Sequence, residues 1–220
     1  MTQIRLAVDV VVITLGSDAD GDRPQPIVLA VRRDHEPFQG AWSLPGGMVR
    51  GAEDLEAAAR RVLSDSLGPH RPRHLEQLAS FGTPNRDPRG RVVSVSYLAL
   101  LPMPVDPTSA AGWWPVAAPP SLAFDHARIL DSAIERLRGK LSYSNVAYGL
   151  LPDEFTLSDL QSVYEAVLGR ALDKRNFRKK VLSLGMLQEA EGQRRGSHRP
   201  AQLYQFAEKG LVLLDDVITV

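Results

Sequence analysis

Residues 46–69 read GGMVRGAEDLEAAARRVLSDSLGP, and their pattern decides the fold of the first half of the chain. From Glu53 to Leu67 the apolar residues Leu55, Ala58, Ala59, Val62 and Leu63 recur at three- and four-residue steps, the spacing of one helix face. The residues just upstream, Leu44-Pro45-Gly46-Gly47, read as a loop. Further upstream, LAVDVVVIT (6–14) is an apolar, β-branched run that reads as a strand. A Gly/Asp/Pro-rich turn region (18–26) separates it from a second strand at 27–32, which makes a hairpin with a long loop. Beyond the helix, TPNRDPRG (83–90) is a turn cluster and 92–101 is another β-branched strand. Strands interleaved with a helix predict an α/β or α+β sandwich.

Gly47, Glu53, Arg61, the aliphatic Leu63 and Gly68 fall at the spacing G-x5-E-x7-R-E-U-x-E-E-x-G-U (U aliphatic), and GAWSLPGG flanks them. This resembles the Nudix box. The resemblance implies an α/β/α sandwich over about residues 1–141. Nudix enzymes cleave a diphosphate linked to another moiety, with carboxylates one helical turn apart holding Mg²⁺ or Mn²⁺ against it. In this chain the three glutamates of the core are Val62, Asp65 and Ser66, and Pro69 replaces the final aliphatic residue. Valine and serine supply no carboxylate, and aspartate reaches one methylene less far. We therefore expect no metal cluster, no catalytic residues and weak or absent hydrolysis. Glu53 and Arg61 are expected to pair internally, and Glu56 and Asp65 to be solvated.

The resemblance also implies recognition of a nucleoside diphosphate compound. Arginine suits a diphosphate because its planar fork makes two charge-assisted hydrogen bonds. Arg32 and Arg33 end a strand before the box, and Arg86, Arg89 and Arg91 lie in or beside a loop. Arg33 and Arg91 are favoured over the others. Phe38, Trp42, Trp113 and Trp114 are candidates to stack a base, although tryptophan is more often a core residue. The expected ligand-binding set is Arg33, Phe38, Trp42, Glu53 and Arg91.

The chain has 26 Lys+Arg against 26 Asp+Glu, but the charge is unevenly placed. All five lysines lie at or after Lys140, and 174–199 carry eight basic residues against two acids, Glu189 and Glu191. Local rather than total charge sets attraction to phosphate. With 44% hydrophobic and 24% charged residues, general disorder is excluded. No apolar run reaches the ~18 residues of a membrane span. The absence of cysteine excludes disulfides and thiolate chemistry and fits a cytoplasmic protein.

Ala127, Leu130, Ile134, Leu137 and Leu141 mark a long helix from Asp125 to about Lys140. LSYSNVAYGLLPDEF follows, and a linker is placed at 142–151. In 152–220, Thr156-Leu-Ser-Asp159 reads as a capping box, and Leu157, Leu160, Tyr164, Val167 and Leu168 form a helix stripe ending at Gly169. Asp173 caps a second helix with Phe177, Val181 and Leu184 inward. A strand at 186–190, a polar turn EGQRRGSHRP and a return strand at 203–206 complete a winged helix-turn-helix plan. Phe177, Val181 and Leu184 lie within about 60° of one another around the helix, so Arg175 and Lys179 face away, flanked by Asn176 and Arg178. A helix of this width enters the DNA major groove, where Arg reads guanine, Asn reads adenine and Lys174 and Lys179 suit phosphates. Arg194, Arg195, His198 and Arg199 are placed in the wing. The apolar tail LVLLDDVITV packs on the core or on a second subunit.

A degenerate Nudix box followed by a basic winged helix resembles the Nudix-related transcriptional regulators of NAD metabolism, and LAFDHARIL, LDKRNFRKK and GSHRPAQLYQF extend the resemblance across nearly the whole chain. It implies a homodimeric repressor of NAD biosynthesis or salvage genes on a palindromic double-stranded operator. The implied effector is ADP-ribose or a related nucleotide, with no required cofactor. Two other readings remain: an ADP-ribose or nucleotide hydrolase with an accessory domain, and a protein-interaction adaptor built on a winged helix.

Overall fold

The β-branched run at the N-terminus becomes β1 (Arg5–Ser17), the central strand of a seven-stranded sheet. The structure, a computed structural model, describes residues 3–18, 20–21, 23–108, 110–194, 200–214 and 218. β1 pairs antiparallel with β2 (Pro24–Arg32) and β4 (Gly46–Met48), and parallel with β6 (Val92–Leu100). β3 (Trp42–Ser43) and β7 (Ala111–Pro115) pair with β2, and β5 (His74–Phe81) pairs with β6. Because strand side chains alternate, β1 feeds two cores. Val8, Val10 and Val12 pack with Ala58, Ala59, Val62 and Leu63 of α1 (Leu55–Leu67), while Val11 and Ile13 face α2 (His126–Tyr143) on the opposite side. The result is the α/β/α sandwich expected from the sequence.

α1 starts where the Asp54 carboxylate accepts the Ala57 N–H at 2.7 Å, and it ends at Gly68, whose φ of 61° disfavours any residue with a Cβ. α2 starts one residue after Asp125 and runs three residues beyond the expected end at Lys140.

The second module is α3 (Leu157–Leu168), α4 (Lys174–Ser183) and a three-stranded sheet in the order β8 (Phe155–Thr156), β10 (Ala201–Phe206), β9 (Leu187–Arg194). The capping box read at Thr156 is present. Thr156 Oγ1 accepts the Asp159 N–H at 3.2 Å, and Asp159 accepts the Thr156 N–H at 2.8 Å. Phe177 and Val181 of α4 are fully buried, with Tyr164 of α3 edge-on to Phe177 at 5.2 Å.

The modules share one core. Ile129, Leu130 and Leu137 of α2 belong to the same apolar cluster as Leu160, Val167, Phe177 and Val181 of the winged helix. The stretch 142–151, expected to be a linker, is packed structure: Val146–Leu150 form a short 3-10 helix, and Val146, Ala147, Leu150 and Leu151 join the cluster. A Cβ at Gly149 would lie 2.8 Å from the Leu100 Cβ, so only glycine permits this approach to the sheet. The C-terminal tail folds back on the same junction. Val212 N–H donates to Asn145 Oδ1 at 2.7 Å, Leu214 N–H to Tyr143 O at 2.8 Å, and Ile218 is buried.

Candidate ligand cavity and nucleic-acid interface

A cavity of about 540 Å³ opens beside the box helix, within the size range of small-molecule sites. Its wall includes the box loop (Gly46, Gly47, Met48), the α1 residues Val62, Asp65 and Ser66, and Asp9 of β1. It also includes Arg33, Arg86, Asp87, Arg89, Phe124 and His126. The positions where a Nudix enzyme carries its carboxylates thus do face a cavity, but two of them are not acids. Val62 and Ser66 are buried, and the Ser66 hydroxyl is spent on the Val62 carbonyl at 3.0 Å. Asp65 has an exposed side chain. Glu53 is engaged elsewhere: Arg61 lies 2.6 Å away and the Arg50 N–H donates to it at 2.8 Å, which together hold its carboxyl down at about 2. Among the described residues, no group of three or more Asp, Glu, His or Cys is arranged to hold a metal ion. The residues present do not fit the metal cluster that the Nudix fold implies, because the donor set is missing.

The floor of the cavity is a buried charged network. Arg86 donates through Nη2 to Asp125 Oδ1 at 2.6 Å and to Asp9 Oδ2 at 3.3 Å. Burial works against its charge, but the bonds to Asp125 and the Asp9 carboxylate more than offset this and raise its pKa. Ser94 also donates to Asp9, and a Cβ at Gly46 would collide with Asp9 Oδ1, so the loop glycine is fixed by a close approach. His126 accepts the Leu44 N–H on Nδ1 at 3.0 Å, with Nε2 lying 3.4 Å from Asp9 Oδ1. Burial lowers its pKa, so the neutral ring carries its proton on the Asp9 side.

Above this floor, the Arg33 and Arg89 guanidiniums lie over the Phe124 ring, at 4.8 Å and 5.8 Å from its centroid. Burial, followed by the neighbouring Arg89 charge, lowers the Arg33 pKa. Arg89 pairs with Asp87 at 2.7 Å. Phe124 and Phe38 both have positive φ, 58° and 63°, and their rings meet edge-on at 4.9 Å. Non-glycine residues in this region store strain, and such strain tends to gather at functional sites.

Of the ligand-binding residues predicted from sequence, Arg33 lines the cavity, and Phe38, itself outside the lining, packs on Phe124, which is part of it. The other three are placed differently. Arg91 donates to the Gly82 carbonyl at 2.6 Å, outside the lining. Trp42 packs edge-on to Trp114 at 5.3 Å in the sheet layer, also outside it. Glu53 is held in the ion pair with Arg61. Arg86 and Arg89, candidates ranked below Arg33 and Arg91, do line the cavity; Asp9, Asp125 and His126 were missed, and an aspartate inside the apolar run LAVDVVVIT was the one local signal of those three.

The winged helix carries the second candidate site. Lys174, Arg175, Asn176 and Lys179 are exposed along α4, with Arg175 and Lys179 opposite the buried Phe177 and Val181, Asn176 on the flank and Lys174 at the N-terminal end. Arg178 is half-buried and donates to Ser158 Oγ at 3.3 Å. Arg194, at the end of β9, pairs with Asp159 at 2.7 Å. Arg195, His198 and Arg199 lie outside the described residues.

The fold and these sites define a class: a Nudix-type domain with a depleted carboxylate set, joined to a winged helix that presents a basic face. Residues 4–133 match the NUDIX domain and residues 147–206 match the NrtR DNA-binding winged helix domain. The chain belongs to the Nudix-related transcriptional regulators that carry both. It is 37% identical, over 84% of its length and 78% of the relative's, to the ADPR responsive transcriptional repressor NtrR of Acinetobacter baylyi. It is similar to the crystal structure of Shewanella oneidensis NrtR complexed with a 27mer DNA (TM-score 0.79, 35% identity, 91% of this chain and 93% of that one). It also resembles the NUDIX domain of the same Shewanella protein complexed with ADP ribose (TM-score 0.53, 35% identity, 62% of this chain and 90% of that one).

Proposed function

We propose that this chain is a DNA-binding transcriptional repressor of NAD biosynthesis or salvage genes. Its Nudix domain binds ADP-ribose or a related nucleotide without hydrolysing it. It acts in the cytoplasm as a homodimer on a palindromic operator, with two winged helices reaching half-sites about one helical turn apart. Residues 1–141 sense the ligand, 152–220 bind DNA, and 142–151 join them. The observation that carries this reading is the cavity itself. It keeps a set of arginines suited to a diphosphate while Val62 and Ser66 stand where metal ligands belong. Arg33, with Arg86 and Arg89, contacts the phosphates, and Phe38 and Phe124 form the aromatic wall. Lys174, Arg175, Asn176 and Lys179 face the major groove, while Arg178 and Arg194 flank it.

The test is selection of bound duplexes from genomic fragments by the purified full-length chain, repeated with ADP-ribose or NAD present, alongside an assay for Mg²⁺-dependent ADP-ribose cleavage. The expected result is enrichment of one palindromic sequence, a ligand-dependent change in its capture, and no AMP or ribose phosphate released. Brisk cleavage would establish the hydrolase instead, and salt-insensitive binding with no enriched sequence would favour the adaptor.

A further inference from the structure

Asp125 occupies the N-cap of α2, yet its side chain accepts no hydrogen bond from the helix. Aspartate is among the strongest N-cap residues because its carboxylate satisfies orphan amides of the first turn. Here that carboxylate is turned the other way, onto Arg86. Arg86 Nε donates to both of its oxygens, at 3.1 and 3.0 Å, and Nη2 donates to Oδ1 at 2.6 Å. Arg86 lines the cavity, and its side chain is only 3% exposed. The α2 cap is therefore spent on a cavity arginine.

The other cavity arginines are engaged as well. Arg89 holds Asp87, and Arg33 donates to the Pro37 and His35 carbonyls. An incoming diphosphate that takes the Nε–Nη2 edge of these arginines must exchange with these partners. Of the carboxylates displaced, Asp125 has an alternative partner close in its own backbone, the Ala127 amide in the first turn of α2; the Arg128 N–H is already bonded to the Asp125 carbonyl at 3.0 Å.

Resting on the function proposed above, we infer that Asp125 is a two-position switch, with one position the pairing with Arg86 seen here and the other a cap on α2, adopted when an anionic phosphate ligand takes Arg86. α2 is placed to carry the change. About 20 Å further along, Arg138 Nε donates to the Val167 carbonyl at the end of α3, at 3.0 Å. Tyr164 of α3 is packed on Phe177 of α4. The ligand thus acts through its different affinity for two arrangements of the α2 N-terminus, which is the condition for any allosteric effect.

Asn keeps the capping ability of Asp but is a far weaker partner for a guanidinium, so Asp125→Asn holds the switch in its capped position. The experiment measures the affinity of the full-length protein for a duplex selected by it from a random pool, with and without saturating ADP-ribose. In the unsubstituted protein the ratio of the two affinities lies in the ~5–150-fold range of allosteric couplings. In Asp125→Asn the ratio falls to within about twofold of unity, while ADP-ribose itself binds more tightly because its competitor for Arg86 is gone. Asp125→Ser, another strong cap without the charge, must behave alike, and thermal melts establish that both fold. Hydrogen exchange of the Ala127 amide should slow on adding ADP-ribose in the unsubstituted protein and be slow already in Asp125→Asn. If the folded variants keep the full ratio, or this amide does not respond, the switch is overturned while the sensor reading stands. If the unsubstituted protein itself shows no response to ADP-ribose, both fall.

Discussion

Removing one cation at a time from the winged helix should separate base reading from phosphate attraction. Arg175 and Lys179 are four residues apart on α4, hence on one face about 6 Å from each other along the helix, and both are exposed. A bidentate arginine–guanine contact is worth about 1–3 kcal/mol, so Arg175→Ala should weaken binding to the selected operator ~5–150-fold and hardly alter binding to random DNA. Lys179, if on phosphate, should cost the same on both sequences and lower the salt slope by about 0.9. Arg194→Ala should cost least, because its guanidinium must first give up Asp159 at 2.7 Å, a pair that is itself worth about 0.2–1 kcal/mol. Fluorescence anisotropy between 50 and 200 mM salt, on operator and scrambled duplexes, reads all three. Equal loss on the two sequences for Arg175→Ala, or a larger loss for Arg194→Ala than for Arg175→Ala, would refute the orientation assigned to α4.

Three further outcomes are expected. Phe177→Ala removes a ring that is fully buried against Tyr164 and should cost about 3–5 kcal/mol in urea unfolding, with DNA binding lost as the helix pair loosens. Lys140→Met removes the nearest cation from the Glu76 carboxylate, 2.8 Å away, while His74 and Arg136 stay beside it, so it should cost about 1–3 kcal/mol, whereas the double change Lys140→Met/Glu76→Leu should recover part of the loss. The Glu53 carboxyl is held at about 2 by Arg61 against an ordinary value of 4.5, so its contribution to stability is complete above that value and disappears as the pH falls from 4.5 towards 2. Melting temperatures of Arg61→Ala should lack this acid limb, and an unchanged acid profile would count against the pairing.

The box helix and its neighbours were legible because their signals are local. Gly47, Glu53, Arg61 and Gly68 keep their spacing within 22 residues, and the loss of carboxylates at Val62 and Ser66 is visible in the letters alone. The basic face of α4 was legible for the same reason, since a 3.6-residue period places Phe177 and Val181 on one side and Arg175 and Lys179 on the other. The cavity floor was not, because its pairs join residues 77 (Asp9–Arg86) and 39 (Arg86–Asp125) positions apart, and no window of sequence contains them. Arg91 illustrates the limit within a loop. Three arginines lie between 86 and 91, and only the fold turns one to a carbonyl and two to the cavity. At 142–151 the polar SYSN masked the apolar residues that follow, which the shared core absorbs.

That shared core constrains how a ligand can act on DNA. Domains joined by a flexible linker move freely, and a ligand in one has no grip on the other. Here Leu150 and Leu151 pack with Leu137 of α2 and Leu160 of α3, and Arg73 of the Nudix module pairs with Asp153 of the junction at 2.7 Å. Close-packed interiors do not deform continuously; they move between discrete arrangements. A metabolite in the cavity therefore reaches α4 as a small displacement of packed helices, not as a swing about a hinge. For a protein that must place a recognition helix in a groove about 12 Å wide, a small displacement is sufficient.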